Sequence, residues 1–160
     1  MPVKHLVVEN FKSYSGTQQI GPFKDFTCVI GPNGSGKSNL MDALSFVLGV
    51  NQKDLRSSHL KDLVFRPPNQ RPGSKSMLKA SVTLVYAASF DADAEETSFT
   101  REISTKATNE YKVNGKKVTF EEYQNELVSR VYCVCVVLCV VCLCVLCVLC
   151  VCVCARACAR

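Results

Sequence analysis

The stretch that most constrains this chain is Gly31-Pro32-Asn33-Gly34-Ser35-Gly36-Lys37-Ser38, three glycines and a lysine set between an apolar run and a periodic one. Upstream, Phe26-Thr27-Cys28-Val29-Ile30 is almost wholly apolar, the pattern of a strand covered on both faces. Downstream, Leu40, Met41, Leu44, Val47 and Leu48 recur at helical steps, and Gly49 supplies the left-handed residue that commonly ends a helix. A glycine turn between strand and helix brings backbone N–H groups close to an anion, and the helix start adds its positive end. In this spacing Lys37 supplies a point charge for outer phosphates and Ser38 offers a hydroxyl to Mg²⁺. The sequence therefore predicts a nucleoside triphosphate ligand, ATP, together with Mg²⁺.

Around this loop the chain alternates. Val3 to Glu9 mixes β-branched and polar residues as a half-buried or edge strand does, and Gly16 and Gly21-Pro22 mark turns. A short helix is expected around His59 to Val64. Pro67-Pro68-Asn69-Gln70-Arg71-Pro72-Gly73 then reads as a surface loop, because its prolines lack donors. Ala80 to Tyr86 and Ser98 to Ser104 alternate as strands. Asn114-Gly115 between two short strands is a hairpin signal, since both residue types tolerate positive φ. Thr119 and Glu122 form a capping box for a helix through Leu127.

Composition divides the chain in two, at residues 1–128 and 129–160. Ten of the eleven cysteines lie between Cys133 and Cys158, in a tract of Val, Cys and Leu that closes on Cys-Ala-Arg. A membrane span is long enough to be drawn from that tract and is the alternative; a thiolate cluster among Val and Leu lacks donors and cations, and a disulfide core needs an oxidising compartment. An alternating thymine-guanine tract translates as Cys-Val repeats and a guanine-cytosine tract as Ala-Arg, so translated repeat DNA is the expectation for the tail. The first part has a lone Cys28 and no signal-like opening, which predicts no secretion and no membrane association. From Lys53 to Lys79 seven Lys or Arg stand against two Asp, a patch suited to an anionic partner or simply to a solvated loop.

Hydrolysis needs groups that hold the metal and orient water. Asp91-Ala92-Asp93-Ala94-Glu95-Glu96 reads as a solvated turn and not as a catalytic strand end, and His5 and His59 are isolated.

Val8-Glu9-Asn10-Phe11-Lys12-Ser13-Tyr14, Ile20-Gly21-Pro22-Phe23 and Phe26 through Gly49 together resemble the N-terminal head segment of the structural maintenance of chromosomes (SMC) family, most closely its cohesin type. The resemblance runs from about Lys4 to Leu127. It implies an α/β fold, the N-terminal lobe of an ABC-type ATPase, in which strand, phosphate loop and helix carry an antiparallel β flank. It also implies nucleotide contacts from Lys12, Ser13, Gly31, Asn33, Gly34, Ser35, Gly36, Lys37, Ser38 and Asn39, with Ser38 as the metal ligand. Arg56 matches an arginine that approaches the site and couples it to DNA, or is a surface charge. The implied partners are the C-terminal half of the same subunit, a second SMC head, a kleisin subunit and DNA, in the nucleus and on chromosomes, in sister-chromatid cohesion. Another SMC or DNA-repair ATPase, or a non-hydrolysing nucleotide-binding fragment, are the alternatives. A glutamine strand, signature serine motif and catalytic glutamate are expected of that family and are not recognisable here. The lobe is therefore expected to be incomplete and inactive alone.

Overall fold

The computed structural model describes residues 3–23, 27–50, 55, 57, 59–67, 79–87 and 95–141, with only the backbone of 131–141. Six strands form one antiparallel sheet in the order β2-β1-β3-β4-β5-β6: β1 Val3–Glu9, β2 Thr17–Ile20, β3 Ala80–Ala87, β4 Glu96–Ile103, β5 Asn109–Val113 and β6 Lys116–Val118. Helices α1, Lys37–Val47, and α2, Phe120–Val141, complete the described architecture with a short 3-10 turn at Leu60–Leu63. The α/β class is as expected.

Alternation decides which side of the sheet is covered. Leu6 and Val8 of β1, Val82 and Leu84 of β3, and Phe99, Arg101 and Ile103 of β4 are fully or almost fully buried, every second residue along each strand. Helix α1 lies against β3 and β4 and buries Leu40, Ala43, Phe46 and Val47, with Phe46 centred 5.3 Å from Phe11. The buried stripe is thus rotated from the expected one. Met41, Leu44 and Leu48 are only half-buried, because Ala43 lets the helix approach the sheet closely and Phe46 fills the space beyond it.

The local signals worked where backbone chemistry was specific. Asn114 (φ 49°) and Gly115 (φ 76°) both occupy the left-handed region, and the Asn114 N–H and side-chain oxygen tie the β5–β6 hairpin to Ser98 at 2.8 Å each. Thr119 N–H donates to Glu122 at 2.8 Å, and the Glu122 N–H returns to the Thr119 hydroxyl at 3.3 Å, closing the expected capping box. Helix α1 ends on Gly49 (φ 82°), whose N–H reaches the Phe46 carbonyl while the Val50 N–H reaches that of Ser45.

Three expectations are corrected. The apolar run Phe26–Ile30 does not form the expected interior strand among the described residues: Phe26 lies outside them, and Thr27–Ile30 is exposed and carries no strand. Apolar composition equips a segment for burial, but burial also requires flanking strands, and the six described strands stand elsewhere. The polar Thr17–Ile20, read only as turn-rich, is edge strand β2, tolerated there because an edge leaves side chains in water. Helix α2 continues past Leu127 to Val141, with no glycine or proline to stop it. No helix among the described residues is long and apolar enough to cross a membrane, and no group of three or more metal-ligating side chains occurs among them. The Pro67–Gly73 loop, beyond Pro67 itself, and Asp91 to Ala94 fall outside the described residues.

Candidate functional site

The loop before α1 is built to leave donors free. Gly36 stands at the helix N-cap with φ 92°, a value open to glycine at little cost, and makes no side-chain capping bond. No acidic residue occupies the first turn. A serine, threonine or aspartate cap would have consumed one of the first N–H groups. Without it, the positive end of α1 remains available to an anion.

Inside the loop, the half-buried Lys37 donates from Nζ to the carbonyls of Gly31 and Pro32, both at 2.6 Å. Among the described residues no carboxylate pairs with this ammonium, so its charge is not neutralised. The Ser35 N–H closes a turn on the Pro32 carbonyl at 3.3 Å, and a side chain at Gly31 would collide with the Ser35 hydroxyl at 2.8 Å. Pro32, Asn33, Gly34 and Ser35 are exposed, as is Ser38 on the first turn of α1.

The segment after β1 forms the second wall. The Asn10 N–H and side-chain oxygen both bond Gly16, at 3.0 and 2.9 Å, curling residues 11–15 into a turn. Lys12 within it has φ 48°, strained for a residue with a Cβ and the kind of conformation that clusters at functional sites. Phe11 bridges to Val64, Lys12 N–H bonds the Leu63 carbonyl at 2.8 Å, and Phe65 N–H bonds that of Asn10 at 2.8 Å. Ser13 accepts from Asn39 of α1 at 2.7 Å, and the Tyr14 hydroxyl reaches the Gly36 carbonyl at 3.4 Å. Burial of Tyr14 raises its pKa.

These contacts gather Lys12, Ser13 and Asn39 with Asp62, Val64 and Arg66 around an open cleft of about 440 Å³. Sequence reading missed the last three. Their approach depends on the bridge to Phe11, which no local pattern announces; the one available signal was the short apolar run Leu63-Val64-Phe65 beside Arg66. Lys12 itself is less free than expected. Its ammonium is paired with Asp42 of α1 at 2.5 Å and with the Leu55 carbonyl at 3.0 Å, with about a tenth of either charged side chain exposed. Arg56 lies outside the described residues. Of the basic patch, Arg66 pairs with Asp62 and Lys79 with Glu102.

The arrangement suits an oxygen-rich anion at the bare helix N–H groups and Lys37, with an open cleft lined by Lys12, Ser13, Asn39, Asp62, Val64 and Arg66 beside it. Comparison with known proteins agrees in kind. The family described as RecF/RecN/SMC N terminal domain matches residues 2–132. The chain is 50% identical over 127 residues to structural maintenance of chromosomes protein 1 of Arabidopsis thaliana, covering 79% of this chain and 10% of that protein. Protein 1 of Schizosaccharomyces pombe is 47% identical over 125 residues, covering 76% and 10%. Protein 4 of Mus musculus is 35% identical over 136 residues, covering 79% and 10%. This chain therefore spans about a tenth of the length of the curated relatives it matches. Among solved structures, one from a study of ATP-driven dimerization and DNA stimulated activation of SMC ATPases superposes with a TM-score of 0.69 at 32% identity, over 82% of this chain and 80% of that one. An SMC head bound to the C-winged helix domain of ScpA gives 0.68 at 32% identity, over 81% and 40%.

Proposed function

Because the chain belongs to the RecF/RecN/SMC N-terminal domain family, we propose that it is the ATP-binding N-terminal segment of a cohesin-type SMC head. The observation that carries this is the uncapped, acid-free start of α1 behind Gly36, with the unneutralised Lys37 beside it. Backbone N–H groups from Gly31 to Lys37, through Asn33, Gly34, Ser35 and Gly36, cradle the phosphates, and Lys37 answers their outer charge. The Ser38 hydroxyl is a hard oxygen donor of the type Mg²⁺ takes, and its exposed place in the first turn fits a ligand shared with phosphate. When bound, the ion neutralises phosphate charge. Asn39 and Ser13 border the nucleoside, with Lys12 held behind them by Asp42. Asp62, Val64 and Arg66 complete that wall. Arg56 couples the site to DNA.

The higher identity to protein 1 sequences than to protein 4 supports the cohesin type over the other SMC types. Turnover is assigned to the assembled complex: the C-terminal half of the subunit, a second SMC head, a kleisin and DNA, on chromosomes in the nucleus. Heads similar to this chain are described as dimerizing with ATP, activated by DNA and bound to ScpA. No carboxylate follows Glu126 in the sequence, which supports inactivity of this chain by itself. The low-complexity sequence of residues 129–160 is assigned to translated repeat DNA, its first part continuing helix α2 to Val141. Sequencing the mature transcript across the codons for Val128 to Cys133 tests that, and a spliced message still encoding the Cys-Val run opposes it.

The nucleotide reading is tested with Lys37→Ala and a fluorescent ATP analogue. Loss of the charge-assisted contact is expected to weaken binding by about 1.5 to 3 kcal/mol. Unchanged affinity removes Lys37 from the site.

A further inference from the structure

Arg101 is a buried cation in the middle of β4, opposite Val82 of β3 and Tyr111 of β5, and only 4% exposed. Burying a guanidinium is costly unless its donors are satisfied, and desolvation lowers its pKa. Its hydrogen-bond partners among the described residues are all neutral. Nη1 donates to the carbonyls of Phe46 at 2.8 Å and Val50 at 3.0 Å, and Nε to the Asn109 side chain at 3.3 Å. Its planar group lies 4.2 Å from the centre of the Phe46 ring and 5.4 Å from that of Tyr111.

Phe46 lies in the last turn of α1, and Val50 follows just past its C-terminus. The carbonyl between them in the last turn, that of Val47, accepts a 2.7 Å bond from the buried Tyr123 hydroxyl of α2. Tyr123 in turn packs at 5.1 Å on Tyr111 and edge-on to Phe99 at 5.8 Å. The last carbonyls of a helix lack intrahelical donors and carry its negative end. Here a cation from the sheet and a phenol from the second helix add donors beside the Gly49 N–H that already caps Phe46. Plain packing would need neither, because an apolar side chain of the same volume buries the surface at no desolvation cost. At 11 residues α1 is a rod of about 16 Å, with the phosphate loop at its other end.

We propose that Arg101 and Tyr123 are positioning residues that clamp the far end of α1, so that the loop's hold on nucleotide depends on how β4 and α2 seat that helix. The nucleotide part rests on the phosphate-loop reading above; the clamp itself does not. The cation adds direction as well as attachment. It fixes the rotation of α1 about its axis, which sets where the free N–H groups of Lys37 and Ser38 point.

The test uses the full 160-residue chain carrying Arg101→Met, Arg101→Lys or Tyr123→Phe, with Leu6→Ala, a buried residue of β1 two strands away from β4, as the core variant outside the clamp. Hydrogen exchange is read by peptide, and affinity by titration with a fluorescent ATP analogue and Mg²⁺. Arg101→Met is expected to speed exchange in Leu40 to Val47 relative to β3 and to weaken nucleotide binding about tenfold, the equivalent of one charged hydrogen bond. Arg101→Lys, which keeps the cation but loses the fork, should recover part of both effects. Tyr123→Phe, which keeps the ring, should show the same regional pattern at smaller size, and so serves if the methionine variant does not fold. Leu6→Ala should speed exchange in the sheet without the α1 bias. Exchange that rises evenly over sheet and helix in the clamp variants, or does not rise, overturns the clamp. Faster α1 exchange with unchanged affinity overturns its link to nucleotide. A wild-type chain that binds no analogue defeats the phosphate-loop reading instead, and the exchange pattern still decides the clamp.

Discussion

Leu6, Val82, Phe99 and Ile103 in the sheet are sealed from water, whereas Val29 and Ile30 just before the phosphate loop are 45% and 86% exposed. Both regions carry apolar residues in β-forming sequence. They differ in what stands next to them. Each interior strand finds two antiparallel neighbours within the described chain, and α1 covers their shared face. Among the described residues, Val29 and Ile30 lie in none of the six strands and stay exposed, although the loop keeps its glycine turns and its lysine. The sheet is thus stabilised by contacts of its own, while Thr27 to Ile30 before the loop stay exposed among the described residues. Stability and ligand binding should then respond to different substitutions.

The largest effect belongs in the sheet. Phe99→Ala removes a fully buried ring that packs edge-on to Tyr123, and should cost about 3 to 5 kcal/mol in a urea unfolding experiment. A loss near zero would mean that the sheet is not the stable region. Asp42→Ala probes the seam between the regions. It strands the ammonium of Lys12, and breaking such a pair should cost about 3 kcal/mol, discounted slightly for its residual exposure. An unfolding midpoint equal to wild type would show that Lys12 finds another partner and that the seam is soft.

A smaller effect is expected from pH. Burial opposes ionisation of Glu102, but hydrogen bonds and charges from Lys79 and Lys112 outweigh it and set its pKa below the ordinary glutamate value. The folded chain then binds fewer protons than the unfolded one in that window. The stabilisation is present above the unfolded value of about 4.3 and is lost as pH falls through the folded value. Glu102→Gln should therefore flatten the acid side of the stability profile below about pH 4.3 and leave its shape near neutrality unchanged. An identical acid slope in both proteins would remove Glu102 from the account. The smallest effect is expected at Ile30. Ile30→Ser should alter stability by no more than about 0.5 kcal/mol, because an exposed side chain has little burial to lose. A cost comparable to Phe99→Ala would show that the run before the loop is covered after all.

Much of this was legible in the residues, and the reasons are physical. Asn114-Gly115 and the Thr119–Glu122 box are local, since a positive φ or a reciprocal cap needs nothing distant. The phosphate-loop pattern is equally local. The strand expected at Phe26–Ile30 failed because apolar composition reports what a segment could bury and not what lies beside it. Asp62, Val64 and Arg66 were missed because a single bridge from Phe11 to Val64 brings them to the cleft. Arg101 was detectable in principle: it shares the inward parity of Phe99 and Ile103, so a charge there signals a buried polar contact. Alternation shows that such a residue is buried, but not that the end of α1 is what receives it.

The central claim, that the loop before α1 is completed by a nucleoside triphosphate, is tested most directly by hydrogen exchange of the full chain with and without ATP and Mg²⁺. The account expects slower exchange confined to peptides spanning Thr27 to Leu40 and residues 11–14, no change in β3 and β4, and loss of the whole effect in Lys37→Ala. Exchange that is unaltered by nucleotide, or slowed equally in Lys37→Ala, would contradict it.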